Sequence, residues 1–76
     1  MNREQQDYQI CFDIIPVLFS KPNKKNSLIS LSKIAHIVES ITNIKQLNRL
    51  SLRNALIDNE YECLLTKDEI YFSIKI

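Results

Sequence analysis

The fold of this 76-residue chain is decided by one stretch, residues 31–41, which reads LSKIAHIVESI. Its apolar side chains recur three or four positions apart, at 31, 34, 35, 38 and 41. At about 100° per residue these positions fall on one arc, and polar residues occupy the opposite side. The spacing therefore predicts an amphipathic helix, with Ser30 or Ser32 capping its start.

The segment before it, residues 4–20, also has a mainly helical pattern. Its apolar arc is centred on Ile10, Ile14, Val17 and Leu18 and is widened by Tyr8, Phe12, Ile15 and Phe19. An arc this broad predicts a helix that is covered on most sides. Pro16 interrupts the pattern, because a proline inside a helix removes an amide donor and clashes with the preceding turn. Either the helix kinks there, which we favour, or residues 8–14 form a strand and a short helix begins near Pro16.

A third helix is predicted after the interruption at 42–43. Asn43 and Gln46 have the spacing of a capping box, and the helix that they predict runs to about Asn59. The side chains that we expect on its inner face are Ile44, Leu47, Leu50 and Ala55. Leu52 and Leu56 fall outside that face. Either Ser51 resets the helix, or the two leucines meet a second surface such as a partner subunit.

From Tyr61 onward the apolar period changes to two, which is typical of strands. Residues 61–66 and 70–76 alternate in this way, and Lys67-Asp68-Glu69 between them predicts a hairpin turn. Because the chain has no glycine, we expect Asp68 to adopt a positive φ. An isolated hairpin is marginal, so this one must pack on the helices or on another chain. The element order predicts one α+β domain over residues 1–76, a three-helix core with a C-terminal β-hairpin.

The charges of the chain are arranged in blocks: residues 1–20 sum to −2, residues 21–57 to +6 and residues 58–69 to −4. On the predicted third helix, Lys45, Arg49 and Arg53 are spaced four apart and form one basic ridge. Lysine and arginine neutralise DNA phosphates, while arginine, asparagine and glutamine hydrogen-bond to base edges. The residues that we predict to contact double-stranded DNA are Lys24, Lys25, Lys33, Lys45, Gln46, Asn48, Arg49 and Arg53.

A family resemblance agrees with this interpretation. The segment Leu31-Ser32-Lys33-Ile34-Ala35 is similar to the start of the second helix in helix-turn-helix proteins, and the element order from about residue 10 to residue 76 resembles the winged-helix superfamily. The resemblance implies that the helix around 45–53 lies in the major groove and that residues 66–69 form the tip of the wing. It implies a small DNA-binding transcriptional regulator of phage, plasmid or operon-specific type.

The predicted wing departs from that pattern, because Lys67 is outnumbered there by Asp68 and Glu69. An acidic turn favours a protein contact over a phosphate contact. The alternative function is therefore a protein interaction module (a small inhibitor, an antitoxin-like protein or an adaptor). It would act through the acidic segment 58–69 and the apolar C-terminal strand 70–76, whose open edge would recruit another chain. A homodimer is expected under either hypothesis.

Several function classes are excluded by what the sequence lacks. Without glycine there is no phosphate-binding loop, dinucleotide-binding turn or nucleophile elbow. His36 is the only histidine, and Cys11 and Cys63 form no CxxC pair and are expected as buried reduced thiols. We therefore expect no enzymatic activity, metal site or cofactor. The longest apolar run, residues 14–19, is too short to cross a membrane, and the polar N-terminus is unlike a signal peptide. A cytoplasmic protein is expected.

Overall fold

The computed structural model of the protein describes residues 2–22 and 27–75. Within those residues the elements are α1 (Arg3–Leu18), β1 (Leu28–Ser30), α2 (Leu31–Thr42), α3 (Arg49–Asp58), β2 (Cys63–Leu65) and β3 (Ile70–Ser73). The three strands form one antiparallel sheet in the order β1-β3-β2. The predicted α+β class, with three helices and a C-terminal hairpin, is confirmed. A single apolar cluster joins the helices to one face of the sheet.

Helix α1 continues through Pro16, so residues 8–14 are helical and the strand alternative is wrong. A proline at position 16 leaves the carbonyl of Phe12 without its helical donor. The side chain of Asn59, at the end of α3, supplies a replacement, since its Nδ2 donates to the Phe12 oxygen at 3.2 Å. A contact between two helices thus compensates the missing hydrogen bond.

The buried side of α1 differs from the prediction. Asp7, Cys11 and Ile15 are buried at four-residue intervals, whereas Ile10 and Val17 are exposed, Val17 by 82%. The expectation of a helix covered on most sides is therefore wrong. The reason is that α1 packs chiefly against α3. A helix with one main neighbour buries one stripe and leaves the others open.

Helix α2 matches its prediction except at Ile41, which is 53% exposed, and Ser30 is the cap, its hydroxyl accepting from the Lys33 amide at 3.2 Å. The residue after the helix, Asn43, has a left-handed backbone with φ 61°. That conformation ends helices, because it turns the chain away while satisfying the last carbonyl groups. The capping box predicted at Asn43 is therefore wrong, and α3 begins six residues later, at Arg49.

The later start changes which residues of α3 are inside. Leu52, Ala55 and Leu56 have no exposed surface, whereas Leu50 is 52% exposed. The two leucines that did not fit the predicted face belong to the chain's own core, and no partner subunit is needed to cover them. Ser51 lies in the first turn of α3, so the helix begins close to that residue, and this start sets which side chains face inward.

The sheet contains a strand that the sequence did not predict, β1, which pairs with β3 over Leu28–Ser30. Because β3 lies between β1 and β2, the C-terminal strand has no open edge, and the expectation that this edge recruits another chain is wrong. Phe72 and Ile74 enter the helical core. The hairpin therefore packs on the helices.

The hairpin turn forms without a left-handed residue at position 68. Positive φ among the described non-glycine residues occurs at Asn43 and Glu60, so the expectation for Asp68 is wrong. Thr66 closes the turn instead. Its amide donates to the Glu69 carbonyl at 2.9 Å, and its hydroxyl accepts from the Glu69 amide at 3.1 Å. A side-chain oxygen thus takes part in closing the turn.

Candidate nucleic-acid interface

The outward face of α3 is the surface on which the predicted basic residues converge best. Since the inner face of the helix is formed by 51, 52, 55 and 56, the side chains of Arg49, Leu50, Arg53, Asn54 and Ile57 are turned outward or lie at the margin. Arg49 and Arg53 are about one helical turn, or about 6 Å, apart along the axis. We call these five residues the α3 face.

The start of α3 is held from one side by α1. The buried carboxylate of Asp7 accepts a hydrogen bond from the Asn48 backbone amide at 2.9 Å, and Arg3 lies 3.8 Å from the same carboxylate. The hydroxyl of Ser51 donates to the Glu4 carbonyl at 2.8 Å. An anion at the N-terminus of a helix also interacts favourably with the helix dipole. These contacts fix where α3 begins and therefore which residues lie on its outward face.

The same connection is held from the other side by α2. The Glu39 carboxylate accepts from the Leu47 backbone amide at 2.8 Å, and Leu47 is buried. The other oxygen of Glu39 lies 3.6 Å from Nδ1 of His36. The only histidine of the chain is thus an exposed neighbour of the carboxylate that holds the backbone before α3.

Three elements meet at Ser32, in the first turn of α2. The guanidinium of Arg49 donates to the Ser32 carbonyl at 3.3 Å, which places the start of α3 beside the exposed Lys33. The Ser32 hydroxyl donates to the Glu69 carboxylate at 3.0 Å. Glu69, one of the two acidic residues of the hairpin turn, therefore ties that turn to the start of α2.

The cations of this region are not neutralised by the chain itself. Within residues 2–22 and 27–75, no carboxylate lies in ion-pair range of Lys33, Lys45, Arg49 or Arg53. Arg53 is partly buried, its Nη2 donates to the Asn54 side chain at 3.1 Å, and its Nε is buried without a hydrogen-bond partner. A patch of unpaired cations attracts phosphate, because binding releases the counterions that phosphate has condensed.

The structure changes the predicted set of DNA contacts in three ways. Lys45 and Gln46 are exposed but lie in the connection before α3, so the ridge of three cations along one helix is wrong. Asn48 caps α3, and its Oδ1 accepts from the Ser51 amide at 2.8 Å, with the Ser51 hydroxyl oxygen 3.0 Å away. Lys24 and Lys25 lie outside the described residues. Lys33, Arg49 and Arg53 are the members of the set that the fold brings to one surface.

Sequence reasoning missed Asn54 and Leu50 as members of the α3 face. The helix predicted to begin at Asn43 has Leu50 on its inner face, and that prediction gives Asn54 no role. The signal that would have found them is Asn48 itself, because asparagine is a favoured N-cap residue and an Arg49 start turns Leu52 and Leu56 inward. The start of the helix, not its composition, determines the face.

The two flanks of the α3 face differ in charge. Toward α1 lies an open groove of about 470 Å³, lined by Glu4, Gln5, Tyr8, Gln9, Leu50, Ser51 and Asn54. The Tyr8 hydroxyl donates to the Asp58 carboxylate at 2.6 Å, and this hydrogen bond raises the pKa of Tyr8. The α1 flank is therefore polar and acidic, whereas the α2 flank carries Lys33. The charge pattern restricts a polyanion to the α2 side and the first turns of α3.

The remaining chemistry-bearing groups are isolated. In the part of the chain that the structure describes, no three histidine, cysteine, aspartate or glutamate side chains group as a metal site. Cys11 is buried, as expected, and burial raises the pKa of its thiol to about 11. Cys63 is exposed on β2, so the expectation of two buried thiols is wrong for it. No described helix combines the length and apolarity needed to cross a bilayer.

Comparisons with protein families, with curated proteins and with solved structures yield no match for this chain. The resemblance to winged-helix proteins therefore stays a prediction from the sequence.

Proposed function

We propose that this protein binds double-stranded DNA as a small transcriptional regulator, with the α3 face entering the major groove. The observation that carries the proposal is the outward pair Arg49 and Arg53, which no carboxylate of the described chain neutralises. A major groove about 12 Å wide admits one α-helix, and arginine side chains there donate paired hydrogen bonds to guanine. A short helix whose outward side carries two guanidinium groups without an ion-pair partner among the described residues is suited to that role.

The surroundings of α3 support the same docking. Lys33 follows Ser32, whose carbonyl accepts from Arg49, and Lys45 is exposed in the connection before α3; both would contact backbone phosphates. Gln46 is exposed in the same connection and belongs to this phosphate-contacting edge. Asn48 supports the interface differently, because its cap holds α3 in place and its amide oxygen is already occupied. Lys24 and Lys25 stay predicted phosphate contacts.

Base reading falls to the outward side chains of α3. Arg49 is exposed, and Arg53 and Asn54 are half-buried and joined by a hydrogen bond at 3.1 Å. Arginine pairs with guanine in the major groove, and Asn54, whose Oδ1 accepts from Arg53, orients that guanidinium group. The hairpin turn has a different role in this proposal, since Glu69 is bound to Ser32 and its charge opposes phosphate.

The test measures binding to a random-sequence pool of DNA duplexes as a function of salt, followed by selection of the tightest binders. We expect the logarithm of the binding constant to fall steeply with the logarithm of the salt concentration. Lys33→Ala should reduce that slope by about one unit, and Arg49→Ala should weaken a selected site by about 1–3 kcal/mol.

Lys75→Ala is the matched control, because Lys75 is an exposed cation that pairs with Ser20, at the opposite end of the C-terminal strand from Glu69 and its contact with Ser32. It should bind as the unmodified protein does. Absence of duplex binding, salt-independent binding, or unchanged affinity in the Arg49→Ala/Arg53→Ala double variant would each overturn the proposal.

A second candidate function, a protein interaction module, is favoured by one observation. Leu65 is 73% exposed and Leu64 is 48% exposed on a strand at the edge of the sheet. The original form of this hypothesis also needed an open C-terminal strand, and β3 is instead central. If this candidate is correct, substitutions at Leu64 and Leu65 abolish binding to the partner protein, while substitutions at Arg49 and Arg53 leave that binding intact.

A further inference from the structure

Within residues 2–22 and 27–75, β2 pairs with β3 and with no other strand, and the hydrogen bonds around β2 show which of its residues face the other side. The Ser73 amide donates to the Glu62 carbonyl at 2.9 Å, and the Thr66 amide donates to the Glu69 carbonyl at 2.9 Å. In an antiparallel pair, the residues that bond to the neighbouring strand alternate. Residues 62, 64 and 66 therefore bond to β3, and Cys63 and Leu65 direct their N–H and C=O groups away from the sheet.

Proteins shield strand edges by keeping the edge strand short, or with lysine, proline, a bulge or an inward-pointing charge. At three residues β2 is short, but within it none of the other protecting features occurs. The sequence of β2 is Cys-Leu-Leu, and all three residues are exposed. At the opposite edge of the sheet, β1 runs directly into α2, since its last residue, Ser30, is the cap of that helix. Among the described residues, no strand pairs with the outer side of β2.

We propose that β2 pairs antiparallel with β2 of a second copy of this chain, about a two-fold axis at Leu64. A two-fold axis perpendicular to a sheet keeps each side chain on its own face, so residues that face each other must both be odd-numbered or both even-numbered. In the register centred on Leu64, Cys63 exchanges two hydrogen bonds with Leu65 of the second copy. The symmetry-related pair, Leu65 of the first copy and Cys63 of the second, adds two more hydrogen bonds.

Neighbouring registers fit the strand less well. A centre at Cys63 would place Leu65 opposite Tyr61 of the second copy, and a centre at Leu65 would place Cys63 opposite Lys67. Both partners lie outside β2. The register centred on Leu64 is the one in which both outward-facing residues meet a strand residue. It joins the two three-stranded sheets into one sheet of six strands.

The side chains of this register are also self-complementary, which is the reason for a second copy as the occupant. Leu64 lies against its own counterpart on one face of the sheet, and Leu65 lies against Cys63 on the other. At the ends, Glu62 faces Thr66 and meets no second carboxylate. Opposed leucines stabilise an antiparallel pair, whereas like charges opposite each other destabilise it. The side chains of β2 in one copy therefore complement those of β2 in the other copy, both in apolar surface and in charge.

The first experiment measures the mass of the full chain by sedimentation equilibrium over a range of protein concentrations without DNA. We expect a dimer, and we expect Leu64→Lys to raise its dissociation constant by more than about tenfold, because two lysines would then face each other. Leu28→Lys is the matched control, since Leu28 is 42% exposed on β1 at the other edge of the sheet. It should leave the dissociation constant unchanged, and the circular dichroism spectra of both variants should match that of the unmodified protein.

The second experiment tests the register by disulfide cross-linking in a Cys63→Ser background. Residues directly opposed at a non-hydrogen-bonded position have Cβ atoms about 4.5–5.5 Å apart, close enough for a small adjustment to form a disulfide. Leu64→Cys should therefore cross-link on mild oxidation. Thr66→Cys should not, because the two copies of that position lie four residues, or about 13 Å, apart along the strands.

Three results overturn the proposal: a monomer at the highest soluble concentration, a dimer unaffected by Leu64→Lys, or equal cross-linking at positions 64 and 66. The first of these results includes a chain that is monomeric by itself and whose β2 binds a strand of a different protein. Association is measured here without DNA, so failure of the pairing leaves the DNA-binding proposal standing, and the converse also holds.

Discussion

Substituting Asp7 by alanine is expected to cost more stability than any other single change at the N-terminal end of α1. The Asp7 side chain is buried, and it accepts from the Asn48 backbone amide at 2.9 Å while Arg3 lies 3.8 Å away. A hydrogen bond to a charged group contributes about 1.5–3 kcal/mol, and its loss leaves the amide at the start of α3 without a partner. The Arg3 side chain is 59% exposed, so the ion pair adds no more than about 1 kcal/mol. The expected loss for Asp7→Ala is therefore about 3 kcal/mol.

Two matched variants separate the hydrogen bond from the charge. Asp7→Asn keeps an acceptor for the Asn48 amide and loses the charge, so it should cost about 1 kcal/mol. Asp13→Ala removes an exposed carboxylate from the same helix, one that contacts only the Gln9 side chain, and should cost less than about 0.5 kcal/mol. The assay is urea unfolding followed by far-ultraviolet circular dichroism. The reasoning is refuted if Asp7→Ala and Asp13→Ala unfold at the same urea concentration, or if Asp7→Asn is as damaging as Asp7→Ala.

Two further predictions concern α1 and the thiols. Asn59→Ala should destabilise the protein by about 1 kcal/mol because it removes the donor to the Phe12 carbonyl. The cost should be smaller in a Pro16→Ala background, which restores a helical amide for that carbonyl, and strictly additive effects in urea unfolding would contradict this account. In a dilute native sample, a maleimide should label Cys63 and spare Cys11 up to about pH 9, because burial raises the pKa of the Cys11 thiol to about 11. Labelling of both thiols at equal rates, measured by mass spectrometry, would show that Cys11 is accessible.

The bounds of helix α2 and all of its inward residues except Ile41 could be predicted, because what defines the helix is local. Its apolar residues repeat with a helical period, Ser30 provides the cap, and the polar Thr42-Asn43 pair marks its end. The C-terminal hairpin could be predicted for a similar reason, since a period of two on either side of a short polar turn needs no distant contact. Class and element order followed from these segments.

The start of α3 could not be predicted, because distant residues determine it. Asn43 and Asn48 are both acceptable caps, and the local sequence after Asn43 resembles a helix start more closely. The choice is made by two carboxylates elsewhere in the chain: Asp7 bonds to the amide of residue 48, and Glu39 bonds to the amide of residue 47. Together they hold the connection in an irregular path that leaves Asn48 as the cap.

Strand β1 was missed for a different reason. It has three residues, which is too few to show a period, and it forms because β3 offers a partner edge. Its presence moves β3 to the centre of the sheet and leaves β2 at the edge. One short strand therefore decides that the exposed edge belongs to Leu64 and Leu65 and not to the C-terminal strand.

The contacts that set the start of α3 also bear on the candidate interface. Asp7 and Glu39 are the carboxylates that hold the connection into the basic helix, and each has an oxygen bonded to a backbone amide there. These two contacts fix where α3 begins, and the start of α3 sets the direction in which Arg49 and Arg53 point. A variant at either acid is therefore expected to change the geometry of the α3 face, whereas Asp13, which contacts Gln9 on α1, should leave it unchanged.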